Sequence, residues 1–298
     1  MKTIKEKLSG VFPPVMTPFI DEKVAYDKLA ENIQRYNDTK LIGYMPVGSN
    51  GEFRSLTDDE ALKVIETVEK NRSADKTLMA CTQRESAEAT IEFTKRAADK
   101  GIDFASILAP HYFAKRMTDE ALIKYFTKIA DNSPVPVLLY NSPAYAGGVS
   151  VSVKAVGILS SHPNIVGMKD GTKEPMSAYL EVVPKDAEFY ILAGSISKFY
   201  TGLLDGGVGG VLSMANYLPE LCCQLHQLYL DGRDGMQMHE RLCELNKKLG
   251  GKYGVAGVKG AMDLLGYYGG DPRLPLLPLT DAERLELKAN MEQEGLAR

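Results

Sequence analysis

The sequence predicts an α/β protein, a (β/α)8 TIM barrel with a C-terminal helical extension, on three observations. Short, β-branched apolar runs alternate with longer amphipathic segments along most of the 298 residues. Eight such units fit within roughly 220 residues, the usual size of a closed barrel. The stretch after them carries more helical pattern than an eighth unit requires. Parallel strands need a crossover between them, usually a helix, so the alternation points to a parallel sheet. An open doubly wound sheet satisfies the same pattern, because closure is not a local property.

The first strand is expected at residues 11–16, after the turn signal Ser9-Gly10. Its Pro13 and Pro14 suit a strand end better than a central ladder. A helix follows at 26–36. The second strand is 43–47 and its helix 58–70, where Thr57 stands before the first turn and Glu60 three residues on, a capping box. The unit then recurs as strand 77–81 with helix 86–100, and strand 104–108 with helix 119–130, capped by Thr118. Strand 135–140 leads to helix 153–160, strand 165–168 to helix 176–183, and strand 189–192 to helix 199–205. Strand 210–214 and a long helix at 220–230 complete the barrel. Helices at 238–249, 258–265 and 281–291 form the extension, the last two joined by the proline-punctuated run from Asp271 to Pro278. The barrel core is assigned to 1–217; the last barrel helix and the extension, packed on the barrel as one unit, are assigned to 218–298.

Composition narrows the function. Apolar residues make up 44% and charged residues 25%, ordinary for a protein with a sizeable core. A formal net charge of -4 gives no reason to expect nucleic acid or an anionic membrane as partner. No apolar window is long enough for a bilayer span, and the charged start at 1–7 has no apolar run behind it, so no secretory signal is expected. Cys81, Cys222, Cys223 and Cys243 fit neither a zinc pattern nor a disulfide framework. Reduced thiols and a cytoplasmic location are the expectation. His111, His162, His226 and His239 form no helical i, i+4 pair with an acidic base, so no metal or other cofactor is expected.

Barrels gather chemistry at the C-terminal ends of their strands, and three patches fall there. Gly48-Ser49-Asn50-Gly51-Glu52 follows the second strand, its glycines permitting unusual backbone and its Ser49 and Asn50 offering donors for a carboxylate. An ordinary Gly/Asn turn accounts for the same residues. Tyr140-Asn141-Ser142-Pro143 ends the fifth strand, where a phenol can pass a proton or simply pack its ring. Lys169 follows Ile165-Val166-Gly167-Met168. Desolvation lowers a lysine pKa, and the neutral amine attacks ketones to form imines. Snorkelling to water, or pairing with Asp170, is the structural alternative.

In this order the three patches resemble the dihydrodipicolinate synthase/N-acetylneuraminate lyase superfamily of class I aldolases, over nearly the whole chain. The segment from Gly209 to Asn216, with Val211 in it, is similar to that group's eighth-strand region. The resemblance implies Lys169 as imine former and Tyr140 as proton carrier. It makes Gly48, Ser49 and Asn50 the loop for the substrate carboxylate, with Gly194 and Val211 further substrate contacts. Tyr112, in Pro110-His111-Tyr112, resembles a tyrosine offered to a neighbouring subunit's proton relay, which implies a homo-oligomer, a dimer or tetramer. The substrates implied are small molecules, pyruvate and an aldehyde, with no cofactor.

Branches of the group differ at the tail of the substrate. Tyr145 stands where dihydrodipicolinate synthases place an arginine. Ser195, Ile196 and Ser197 follow Gly194 where sialic-acid lyases carry acidic residues. The runs Gly48 to Phe53, His162 to Asp170 and Gly266 to Gly270 are similar to 4-hydroxy-2-oxoglutarate aldolases, although Gly171 replaces that branch's hydroxyl residue and Thr172 lies one step beyond. The expected reaction is cleavage or formation of a 2-oxo-4-hydroxy acid from pyruvate and a short aldehyde, glyoxylate being the candidate, held by Asn50 or Thr172. Dihydrodipicolinate-synthase-like condensation, sugar-acid dehydration or cleavage by the same imine, and a keto-acid-binding protein without turnover are the alternatives.

Overall fold

The computed structural model describes residues 2–296. Met1, Ala297 and Arg298, which the assignments above include at the two ends, lie outside the described residues. A short helix, Ile4–Leu8, opens on a Thr3–Glu6 capping box and has no counterpart among the expected elements. Eight barrel strands follow: β1 (Val11–Phe12), β2 (Gly43–Tyr44), β3 (Thr77–Cys81), β4 (Phe104–Leu108), β5 (Val137–Asn141), β6 (Ile165–Asp170), β7 (Tyr190–Ala193) and β8 (Gly209–Val211). Hydrogen-bonded neighbours run β1-β8-β7-β6-β5-β4-β3-β2, and every pair is parallel.

The two ends of that order also meet. Ile42 N–H donates to Val11 O at 3.1 Å, Met45 N–H to Pro13 O at 3.1 Å, and Val15 N–H to Met45 O at 3.0 Å. The sheet therefore closes, and the open doubly wound alternative is excluded. Pro13 and Pro14 have no N–H to give, so regular pairing along β1 stops at Phe12. Every residue of β3, β4, β5 and β6 is buried, as expected when a sheet is covered on both faces.

The helices between strands are α1 (Tyr26–Asn37), α2 (Asp58–Asn71), α3 (Ala87–Ala98), α4 (Asp119–Asn132), α5 (Val153–Leu159), α6 (Met176–Leu180) and α7 (Ile196–Leu204), with α8 (Pro219–Leu230) after β8. The Thr57–Glu60 capping box and the Thr118 cap form as read from the sequence. The extension is α9 (Met236–Lys248), α10 (Gly254–Leu264) and α11 (Asp281–Gln293). Among the described residues no helix is long and apolar enough to cross a membrane.

Three local expectations are corrected. β6 runs past the expected end at 168, so Lys169 and Asp170 are strand residues rather than the start of a loop. β8 ends at Val211, and Ser213–Asn216 is a 3-10 turn. Between β1 and α1, Phe19–Ile20 and Lys23–Val24 form an antiparallel hairpin. Its turn residues Asp21 (φ 48°) and Glu22 (φ 62°) hold left-handed backbone that such turns usually give to Gly or Asn, so composition did not signal it.

Candidate active site

Side chains alternate across a strand, and that sorts the two charged residues ending β6. Lys169 points into the barrel mouth. Its Nζ lies 3.9 Å from Met45 Sδ and 4.1 Å from the centroid of the Tyr140 ring. Asp170 points outward, where its carboxylate pairs with Lys198 of α7 and accepts from Thr172 Oγ1 at 2.8 Å. Pairing of Lys169 with Asp170 is therefore excluded, and Lys169, only 5% exposed, has no carboxylate partner among the described residues. Burial, opposed by the neighbouring Cys81 and Tyr145, brings its pKa down from 10.5 to about 8. About a tenth of this amine is neutral at pH 7 and half near pH 8, against roughly one part in a few thousand for an ordinary lysine at pH 7; the neutral form is what nucleophilic attack requires.

Tyr140, one residue before the end of β5, lies directly beside Lys169 in the β5–β6 register. Its hydroxyl lies 3.3 Å from Ser49 Oγ. Burial pushes its pKa well above the usual phenol value, with the Ser49 hydrogen bond pulling weakly the other way. The phenol stays protonated, so it passes a proton only by giving one up as it takes one.

The loop carrying Ser49 is held from both ends. Its strained residues are Val47 (φ 52°) and Glu52 (φ 55°), not its glycines. Left-handed backbone in a β-branched residue is costly and persists only where surroundings enforce it. Gly51 is needed for space: a Cβ there would sit 2.9 Å from Val15 O, whereas Gly48 has room for one. Thr17 Oγ1 donates to Gly51 O at 2.7 Å. Glu52, fully buried, pairs with the equally buried Lys259 of α10 at 2.6 Å and accepts from Arg273 N–H at 2.8 Å. Burial lowers the Lys259 pKa despite the attraction of Glu52. Glu52 thus ties the loop to the extension, a link that motif reading missed because its partner lies 207 positions on.

A cleft of about 280 Å3 opens among the residues that follow the strand ends, including Asn50, Ser142, Tyr145, Gly171, Gly194 and Ser213; Lys169, Tyr140, Ser49 and Gly48 are not among its lining residues. Tyr145 is half exposed, and the charge of Lys169 reaches it. Gly171 has no side chain, and a Cβ there would come within 2.9 Å of Ser142 Oγ. Asn50 Nδ2 donates to Ser213 Oγ at 2.5 Å. The extension closes one side through Asn246, Gly251 and Gly254, none of which motif reading found. The glycine-rich run Gly250-Gly251-Lys252-Tyr253-Gly254 was the available signal.

Other expected site residues lie apart. Thr172 turns toward Asp170 and the Tyr179 hydroxyl and is not among the residues lining the cleft. Val211 is buried in β8, paired in register with Phe12, and is likewise not part of the cleft lining. Tyr112 is 80% exposed, its ring edge-on to Phe113, and its N–H donates to Glu85 rather than toward Ser49. His226 and His239 are buried beside Phe199 and Tyr200, and His162 bonds Asp131 at 3.0 Å. Among the described residues no group of three or more His, Cys, Asp or Glu could hold a metal ion.

Comparison with known proteins agrees with this geometry. A family model described as the Dihydrodipicolinate synthetase family matches residues 7–294. A 4-hydroxy-tetrahydrodipicolinate synthase of Methanothrix thermoacetophila is 32% identical over 284 residues, covering 94% of each chain. One from Phenylobacterium zucineum is 30% identical over 289 residues, covering 96% of this chain and 97% of its own. Among solved structures, the dihydrodipicolinate synthase of Aquifex aeolicus superposes with a TM-score of 0.90 at 26% identity, covering 97% of this chain and 99% of that one. A prophage protein of the same family from E. coli K12, in complex with pyruvate, superposes with a TM-score of 0.89 at 26% identity, with the same coverage.

Proposed function

The chain belongs to the dihydrodipicolinate synthetase family of pyruvate-dependent carbon–carbon lyases, and from that premise we propose that Lys169 forms the imine with pyruvate and Tyr140 carries the proton. The observation behind this reading is a buried lysine without a counter-ion, its pKa near 8, stacked on the ring of a tyrosine that hydrogen-bonds Ser49.

In the cleavage direction the neutral Lys169 amine adds to C2 of a 4-hydroxy-2-oxo acid, and water leaves to give an iminium. Tyr140 takes the C4 hydroxyl proton while passing its own to Ser49. The C3–C4 bond breaks, its electrons reach the iminium nitrogen, and an aldehyde departs, leaving an enamine. Return of the proton to C3 and addition of water to C2 release pyruvate and free Lys169. Tyr112 of the partner subunit extends the relay beyond Ser49, in a dimer or tetramer. N–H groups around Gly48, Ser49 and Asn50 hold the pyruvyl carboxylate. No cofactor takes part, since the iminium is the electron sink.

The aldehyde stands between two chemistries. Glyoxylate, from 4-hydroxy-2-oxoglutarate, is the anionic candidate that the motif similarities favour. A neutral hydroxylated aldehyde is handled by the same imine, and the absence of charge in the cleft lining favours it. The names of the relatives support condensation of pyruvate with an aldehyde as the physiological direction, while Tyr145 removes the arginine that would grip a second carboxylate.

Borohydride reduction in the presence of pyruvate tests the imine. Peptide mass spectrometry is expected to find the reduced pyruvyl adduct on Lys169, and Lys169→Ala is expected to take up none. An adduct on another lysine, or none in the wild type, refutes the reading.

A further inference from the structure

The side of the cleft built by the extension has no place in the imine chemistry described so far. We infer that the aldehyde subsite selects an uncharged, hydroxylated tail, and that Asn246 of α9 is the residue that grips it. This rests on the imine reading above and names the second substrate of the same site.

No side chain lining the cleft carries a charge. A carboxylate at the tail of the aldehyde would lose water there without gaining a cation, which is strongly unfavourable. The polar side chains that do line it are hydroxyls and amides, and three of the six are already engaged; the Ser142 and Tyr145 hydroxyls lie on the barrel side, and Asn246 is the one polar side chain in the lining that the extension contributes. Asn50 is bonded to Ser213 at 2.5 Å, and Ser195 Oγ lies 3.0 Å from Ser197 Oγ. The Asn246 side chain, half-buried in the wall, makes no hydrogen bond with any described residue. An amide both donates and accepts, so it suits a hydroxyl, which does the same.

Gly251 supports this placement independently. Its backbone is not in the left-handed region, so conformation does not demand glycine. A Cβ at that position would lie 2.5 Å from Asn246 Nδ2 and 2.5 Å from Asn246 O. Any other residue would displace the Asn246 amide from the wall. Glycine at 251 keeps that amide clear and open to the cleft.

The test measures kcat/KM for condensation of pyruvate with glyceraldehyde, propionaldehyde and glyoxylate. In the wild type glyceraldehyde is expected to exceed propionaldehyde by about tenfold, the scale of one net neutral hydrogen bond, and to exceed glyoxylate as well. Asn246→Leu keeps the volume and removes the hydrogen bonding, so the ratio of glyceraldehyde to propionaldehyde is expected to fall to about one. A merely structural role would lower both aldehydes together and leave that ratio unchanged, which overturns the inference. So does a wild-type preference for glyoxylate. Borohydride trapping with pyruvate alone separates the two failures. An adduct on Lys169 with the wrong aldehyde order sinks only the inference; no adduct sinks the imine reading and the inference with it.

Discussion

Lys169 is an ionisable group held among apolar and aromatic neighbours without a counter-ion, and the arrangement leaves a thermodynamic trace. Its pKa is about 8 in the folded chain against 10.5 for an ordinary lysine. Between those values the unfolded chain binds a proton that the folded chain does not, so stability rises with pH across that window. Below pH about 8 the folded state bears the whole cost, on the order of 3 kcal/mol for a shift of this size. Lys169→Met, similar in volume and uncharged, is therefore expected to be more stable than the wild type at pH 7 by up to that amount. The gain should shrink as the pH approaches 10. Urea denaturation of both proteins at several pH values checks this, and equal stability at pH 7 would show that the amine is solvated or paired. The same titration predicts that imine formation accelerates up to about pH 8 and then levels, as the neutral amine comes to dominate.

At the scale of elements, the loop after β2 shows what sequence could and could not reveal. Ser49, Asn50, Tyr140 and Lys169 were legible because each follows or ends a strand, and barrel topology brings strand ends together. The strain at Val47 and Glu52 was not legible, since neither residue type signals left-handed backbone. Nor was the partner of Glu52, because only the folded chain brings α10 to the loop. Closure at the β1–β2 seam was hidden for the same reason. Asn246 was overlooked because helical periodicity marks apolar faces and says nothing of what lies above the barrel mouth. Removing one member of a fully buried ion pair strands the other charge, typically at 3–5 kcal/mol. Lys259→Met is expected to lose about that much stability, and to raise KM for pyruvate as the Ser49 loop loosens. Adding Glu52→Gln removes the stranded carboxylate and should recover part of the stability. Thermal melts and steady-state kinetics of the two single variants and the double variant decide. A single variant that melts with the wild type would mean that the pair does not hold the loop.

At the scale of the whole molecule, the proposed proton relay past Ser49 would pass from one chain to another. One chain offers Tyr112 and Phe113 as an edge-on aromatic pair, 80% and 61% exposed, on the segment after β4. Large exposed aromatics side by side are unusual on a monomer and are enriched where proteins associate. In a dimer with two-fold symmetry each copy gives its partner the same contacts it receives. Each Tyr112 would then complete the relay of the other subunit, and neither subunit's own Tyr112 would serve its own Lys169. That geometry makes a sharp prediction about mixtures. Tyr112→Phe keeps the ring and removes the proton carrier, and is expected to lose about 10²-fold in rate, the lower end for general acid–base catalysis. Lys169→Ala is expected to be inactive. Refolding the two variants together at equal amounts allows mixed dimers, in which one site has both an intact Lys169 and an intact Tyr112 from opposite chains. Half of the dimers are mixed and each has one such site, so about a quarter of wild-type activity should appear. Activity no higher than the mean of the two parents would place Tyr112 in service to its own chain, or outside the relay altogether.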